Sequence, residues 1–273
     1  MAGGLKAIIK SLLITPEIEA TVARMPKPVG SFGFDAWGYH ADAVKVGFAV
    51  VQRLYDHYFR VSASGLEHIP AQGRVLIIAN HSGQLPFDAV MTGVAMMRNP
   101  SAPRAPRAMF ERFLPDVPWV GNLLNGLGGV VGDPINCAKM LAAEEAILVF
   151  PEGVRGSGKL YRQRYQLQRF GRGFMHLAIQ HRTPIIPLGI VGCEETMPSL
   201  SRMQPLAKCF GLPYLPLAFP LPLPARVYLK FGAPMRFDDG ATTEADIDHR
   251  VEQVKARITE LMADGLAQRK TIF

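Results

Sequence analysis

The chain has 273 residues, 48% hydrophobic and 19% charged, enough for one large α/β domain with a substantial core. A formal charge of +7 and a pI near 9.4 point to an anionic partner: nucleic acid, acidic lipid or a phosphorylated substrate. Cys137, Cys193 and Cys209 are widely spaced, with no CxxC or Cys/His ligand spacing, which excludes structural zinc and suggests reduced thiols in a cytosolic compartment.

Residues 5–14 place Leu5, Ile8, Ile9, Leu12 and Leu13 on one face of a helix, with Lys6 and Lys10 elsewhere. Such a helix either packs on its own domain or lies in a membrane interface. The two lysines interrupt the apolar stretch and no small-residue cleavage site follows, so no secretory signal is expected. Pro26 to Gly38 reads as a loop. A second amphipathic helix is predicted from about Ala41 to Phe59, with Val44, Phe48, Val51, Tyr55 and Tyr58 on one side. Residues 1–60 thus form a helical arm suited to membrane docking, ahead of an α/β domain over 61–273.

From Val61 onward, short β-like runs alternate with helices. Strands are predicted at 61–66, 74–79, 128–132, 146–150, 185–191 and 226–231, and helices at 87–98, 136–144, 170–181 and 244–267. This alternation predicts a single α/β domain with a mixed, mostly parallel central sheet flanked by helices. No segment reaches the roughly 18 uninterrupted apolar residues of a spanning helix. Leu212 to Pro224 is apolar but broken by five prolines, which exclude a helix. It reads as a buried extended connector, with a loop dipping into a bilayer surface as the alternative.

Two loops carry the chemistry. His81-Ser-Gly-Gln-Leu-Pro-Phe-Asp88 follows the apolar run Val75–Ala79, and Phe150-Pro-Glu-Gly-Val-Arg155 follows Ala146–Phe150. Both lie at strand ends, where α/β folds place their chemistry. A histidine and a nearby carboxylate can form a base and the group that orients it, although Asp88 is equally at home as a first-turn helix acid. Gly153 to Lys159 fits the G-x-x-x-x-G-K part of a phosphate-binding loop, but Leu160 stands where a magnesium-binding Ser or Thr is needed, which argues against a nucleotide site.

Lys159, Arg162, Arg164, Arg169 and Arg172 form a run without a single acid. Such a run is either a solvated face or an anion site for a phospholipid headgroup, coenzyme A phosphates or an acidic carrier protein. No nucleic-acid-binding module accompanies it, so nucleic acid is not an expected partner. A G-x-S-x-G nucleophile elbow is absent and the cysteines lie outside both loops, which favours direct base catalysis on a bound hydroxyl.

At these residues the sequence resembles the glycerolipid (lysophospholipid) acyltransferase family over roughly residues 60–235. Asn80-His81…Asp88 matches the family's first block and Gly128 to Pro134 its Gly-rich second block. Phe150 to Arg155 matches the Phe-Pro-Glu-Gly-x-Arg third block in full, and Thr183 to Leu188 the Pro-centred fourth. Two departures stand out. Six residues separate His81 from Asp88 where four are usual, nearer to relatives that look like monoacylglycerol acyltransferases. In addition, Pro134 occupies the place of a second-block Arg.

The resemblance implies an O-acyltransferase, peripheral on the cytoplasmic face of a membrane with an anionic surface. His81 would be the general base and Asp88 its orienting partner. Glu152, Gly153 and Arg155, with Arg162 and Arg164, would bind substrate. The donor would be acyl-CoA or the thioester of an acyl carrier protein, with neither metal nor bound cofactor required. The expected acceptor is a glycerolipid, a lysophospholipid such as 1-acylglycerol-3-phosphate, with mono- or diacylglycerol as the alternative. A lipid or thioester hydrolase and a non-catalytic membrane adaptor are the rival functions.

Overall fold

The structure is a computed structural model that describes residues 13–25, 29–83, 85–116, 120–202, 216–218, 221–237 and 243–273. Residues 5–12 of the predicted 5–14 helix, and residues 212–215 and 219–220 of the Pro-rich segment, therefore lie outside the described residues. Seven strands form one sheet in the order β1-β9-β6-β2-β5-β3-β4. They are β1 (Ser62–Ser64), β2 (Val75–Ala79), β3 (Arg107–Phe110), β4 (Val130–Val131), β5 (Ala146–Val149), β6 (Ile185–Val191) and β9 (Tyr228–Phe231). A separate two-stranded antiparallel sheet pairs β7 (Ser199–Arg202) with β8 (Pro216–Ala218). The five strands from β6 to β4 are mutually parallel, while β9 pairs antiparallel to β6 and carries β1 parallel to itself. A mixed, mostly parallel sheet is what the alternation predicted.

Burial explains why the central strands read as continuous apolar runs. All five residues of β2 are buried, because helices cover both faces of the sheet. Val75, Ile77 and Ala79 face one core with α1 (Pro16–Ala23), α2 (Ala41–Arg53) and α3 (Phe87–Met97). Leu76 and Ile78 face the other, with α5 (Pro134–Ala142), α6 (Gly173–Gln180) and α7 (Glu244–Gln268). Helix α7 begins in a capping box, where Thr243 accepts from the Asp246 amide at 3.1 Å and Asp246 answers the Thr243 amide. Its Ile247, Val251, Val254, Ile258 and Leu261 are buried at helical spacing.

The predicted apolar side of α2 also turns inward. Val44, Phe48 and Tyr55 are buried, and Val51 and Tyr58 pack against the same core. One π-helical turn, Leu54–Tyr58, extends α2 toward β1. Strand β3 and helix α4 (Val120–Gly126) were not foreseen. Strand β3 opens on Arg107, buried at 1% exposure because it pairs with Asp35 and with Glu145 at 2.8 Å. Among the described residues no helix is long and apolar enough to cross a membrane.

Candidate active site

Four parallel strands deliver acidic or basic side chains to one edge of the sheet. In sheet order β6, β2, β5 and β3, the residues just past their C-terminal ends are Glu194, His81, Glu152 and Glu111. This is the crevice where open α/β sheets bind ligands. The exit from β2 is fixed by Asn80, fully buried, which donates to the Ile190 carbonyl at 2.9 Å and accepts from the Ile190 amide at 2.7 Å.

His81 Nδ1 lies 2.6 Å from Asp88 Oδ2. Asp88 is fully buried in the first turn of α3 and accepts from the amides of Ser82 at 2.9 Å and Ala89 at 2.7 Å. Three donors on one carboxylate fix its position and leave the imidazole proton on Nδ1 as the consistent tautomer. The unusual six-residue spacing is absorbed at Gly83, whose φ of +87° turns the loop back. A Cβ at Gly83 would lie 2.9 Å from the Cys193 carbonyl oxygen, so glycine is required twice over. The imidazole stacks on Phe150, with centroids 4.5 Å apart and 27° between planes.

Burial pushes the His81 imidazolium down, but the charge and hydrogen bond of Asp88, helped by Glu152, outweigh it, and the group rests above its ordinary 6.5. Lys159 works in the opposite direction.

Glu152 joins the two loops. Its Oε1 accepts from the His81 amide at 2.9 Å and its Oε2 from the Gln168 amide at 2.7 Å. Lys159 Nζ stands 3.7 Å from Glu152 and 2.7 Å from Glu194. With 1% exposure, the Glu152 carboxylate faces backbone amides and not an open site, unlike the substrate contact expected of it. Gly156 packs so tightly that a Cβ would fall 2.7 Å from His81 Cβ and 2.8 Å from Glu152 Cβ.

The arginines do not converge on His81. Arg155 is exposed and donates to the Arg169 carbonyl at 3.2 Å. Arg162 and Arg164 are exposed, the latter lying 4.7 Å over the Tyr161 ring. Arg172 is drawn to Asp248 at 2.6 Å and to Glu244 on α7. Pro134 has a structural role of its own as the first residue of α5, with Asp133 as the cap accepting from the Ile135 amide at 2.8 Å.

Sequence reasoning missed the main feature. A cavity of about 230 Å³ opens beside His81. It is walled by Phe48 and Val51 of α2, Val90, Gly93 and Val94 of α3, Met109 of β3, Leu124 of α4, Leu127 and Phe150. His81, Glu111 and Gly153 lie on the same wall set. Four separate elements build it, so no contiguous motif announces it. Among the described residues, no group of three or more His, Cys, Asp or Glu side chains is arranged to hold a metal ion.

Comparison with known proteins gives a consistent family. The acyltransferase family profile matches residues 60–191. An uncharacterised protein of Mycobacterium tuberculosis is 38% identical over 260 residues, covering 90% of this chain and 71% of that one. A human protein described as a DGAT1/2-independent enzyme synthesizing storage lipids is 27% identical over 198 residues, 71% of this chain and 59% of that one. The crystal structure of the 1-acyl-sn-glycerophosphate acyltransferase PlsC from Thermotoga maritima is similar in fold. Its TM-score is 0.52 at 19% identity, over 83% of each chain.

Proposed function

This chain belongs to the acyltransferase family and is an acyltransferase; from that premise we propose that it transfers a fatty acyl group from an acyl thioester to a glycerolipid hydroxyl. The observation that carries this reading is the His81–Asp88 pair, with His81 on the wall of a cavity whose lining, Glu111 apart, is apolar. A base alone suits many reactions. A base facing a space lined by Val, Leu, Met and Phe suits a reacting group attached to an alkyl chain.

In this mechanism the acceptor hydroxyl gives its proton to His81 Nε2 as its oxygen attacks the thioester carbonyl carbon. The C–O bond forms, the C–S bond breaks, and the imidazolium returns the proton to the departing thiolate. Asp88 keeps the Nδ1 proton in place and stabilises the transient positive charge. Glu152 acts by locking the His81 loop to the Phe150–Arg155 turn. Arg155, Arg162 and Arg164, exposed beside that turn, suit the phosphates of coenzyme A or an acidic carrier protein. They equally suit an anionic membrane surface.

Exposed apolar side chains support approach to a membrane. Val46 and Val50 on α2 and Leu123 on α4 are exposed on the helices whose other residues wall the cavity, and Phe32 is 87% exposed in the preceding loop. An alkyl chain could then pass from bilayer to cavity with little exposure to water.

The test is direct. Purified protein incubated with labelled acyl-CoA, or acyl carrier protein thioester, and a panel of glycerolipid acceptors should yield labelled acylated lipid. His81→Ala should lower turnover by about 10²–10⁴-fold while melting normally. A variant with near wild-type turnover would remove His81 from the mechanism.

A further inference from the structure

Among the described residues, the cavity wall carries two polar side chains, His81 and Glu111. The first is the base; the reading above gives the second no task. Glu111 follows β3, and the turn after β5 comes close to it. Gly153, with φ +57°, passes so near that a Cβ would lie 2.9 Å from Glu111 Oε1. That same turn contains Gly156, packed on His81. Glu111 therefore belongs to the His81 end of the cavity.

Compensating charge is missing from this wall. Among the described residues, no ion pair to Glu111 occurs and no Lys or Arg lines the cavity. Its neighbour Arg112 is 70% exposed in the side chain and pairs with Asp133 at 2.8 Å. Arg155 reaches the Arg169 carbonyl. Lys159 is buried against Glu194 and Glu152. Pro134, opening α5, offers no donor at all.

We propose that Glu111 sets the acceptor class of this enzyme: it admits an uncharged, hydroxyl-bearing glyceride to His81 and rejects one carrying a phosphate monoester. The inference rests on the acyl-transfer reading and deepens it. A phosphate dianion brought to His81 would share a small, apolar space with a carboxylate and with no lining cation, an arrangement that buried charges avoid. A free glyceride hydroxyl meets the opposite condition, since it can donate to the Glu111 carboxylate and so be held near the base. This departs from the phosphorylated acceptor expected from the basic run in the sequence.

The magnitude is large enough to read. Two like unit charges about 6 Å apart at an effective dielectric of about 20 correspond to roughly a hundredfold in a rate or binding ratio, and on the order of tenfold after partial screening. Substituting Glu111 removes or reverses that factor.

The experiment measures kcat/KM for 1-acylglycerol and for 1-acylglycerol-3-phosphate of the same chain length. Purified full-length wild type, Glu111→Gln and Glu111→Lys are compared with a common thioester donor, and each variant's melting temperature is recorded. Wild type should prefer the neutral acceptor by about tenfold or more, Glu111→Gln should narrow the ratio, and Glu111→Lys should move it furthest toward the phosphate. A wild type that prefers the phosphate, or a ratio unmoved in folded variants, overturns this inference and leaves acyl transfer standing. Absence of transfer to both acceptors overturns the acyl-transfer reading, and this inference with it.

Discussion

Replacing Gly93 should make the protein more stable and shorten the acyl chain it accepts. Gly93 lies inside α3 and lines the cavity, and a Cβ built on it meets nothing within 4 Å. Glycine in a helix interior costs about 1 kcal/mol relative to alanine. Gly93→Ala should recover most of that, raising the melting temperature by about 2 °C in a chain of this size. Gly93→Leu keeps a good helix former but extends a branched side chain into the cavity. If it displaces about three methylenes of a bound acyl chain, the loss at about 0.8 kcal/mol per methylene is about 2.4 kcal/mol. That is roughly a 60-fold fall in kcat/KM for the longest accepted donor, with donors about three carbons shorter spared. The assay is a series of acyl-CoA donors of increasing length with each variant, together with thermal melts. A leucine variant that melts at or above the wild-type temperature and keeps the wild-type length profile would refute acyl-chain occupancy of this cavity.

The pH dependence follows from the His81–Asp88 pair. As the proposed base, His81 must be neutral, and its pKa is held above 6.5, with Asp88 overcoming the opposing effect of burial; kcat/KM should therefore rise with pH through a midpoint above 6.5. Asp88→Asn removes the charge that raises it, so the rising limb should move to lower pH while the plateau falls by about tenfold or more; a limb that stays in place would dissociate Asp88 from the titration. Gly156→Ala would bring a Cβ to 2.7 Å from His81 Cβ and 2.8 Å from Glu152 Cβ, so it should destabilise by about 1–3 kcal/mol and lower kcat more than it changes KM. Wild-type melting and kinetics in that variant would show that the two loops have slack.

The central strands were the most legible, because they are buried on both faces, and β1, β4 and β9 also fall within predicted runs. Strands β2, β5 and β6 are continuous apolar runs because helices cover them above and below. Strand β3 escaped because it opens on Arg107, and a charged residue ordinarily argues against a buried strand. Only the fold supplies Asp35 from the arm and Glu145 from before β5 to pair with it. The His81–Asp88 pair was legible as two residues but not as a contact, since its six-residue spacing closes only through the left-handed turn at Gly83. Glu152 was legible as part of the site, yet its task was not. Bonds to the His81 and Gln168 amides link positions 71 and 16 residues away. Glu111 and the cavity were not legible at all, because the wall draws on α2, α3, β3 and α4, which come together only in the folded chain.

The basic run after the third block shows why charge composition misleads. Read along the chain, Lys159 to Arg172 is one anion-binding stretch; in space it divides by function. Lys159 has turned inside, 5% exposed, with Glu194 at 2.7 Å and Glu152 at 3.7 Å. Burial pushes the Glu194 carboxyl up, and the Lys159 charge and hydrogen bond only partly counter this. The other Glu194 oxygen accepts from the Tyr165 amide at 2.5 Å, and Tyr165 is held with φ +62°, a left-handed conformation uncommon for an aromatic residue. Its hydroxyl is fixed in turn by Arg269 at 2.9 Å and by the Gly192 amide at 3.1 Å. Such an unfavourable backbone persists only where its surroundings over-determine it, and here they are carboxylates after β6 and the arginine that follows α7. The same burial settles the G-x-x-x-x-G-K match. In a phosphate-binding loop the lysine must project toward the phosphates, whereas Lys159 points into two glutamates. Removing it would leave the Glu194 carboxylate buried without its cation. That lysine belongs to the clamp that holds the turn against His81, and the phosphate-cradle pattern around it is coincidence of spacing.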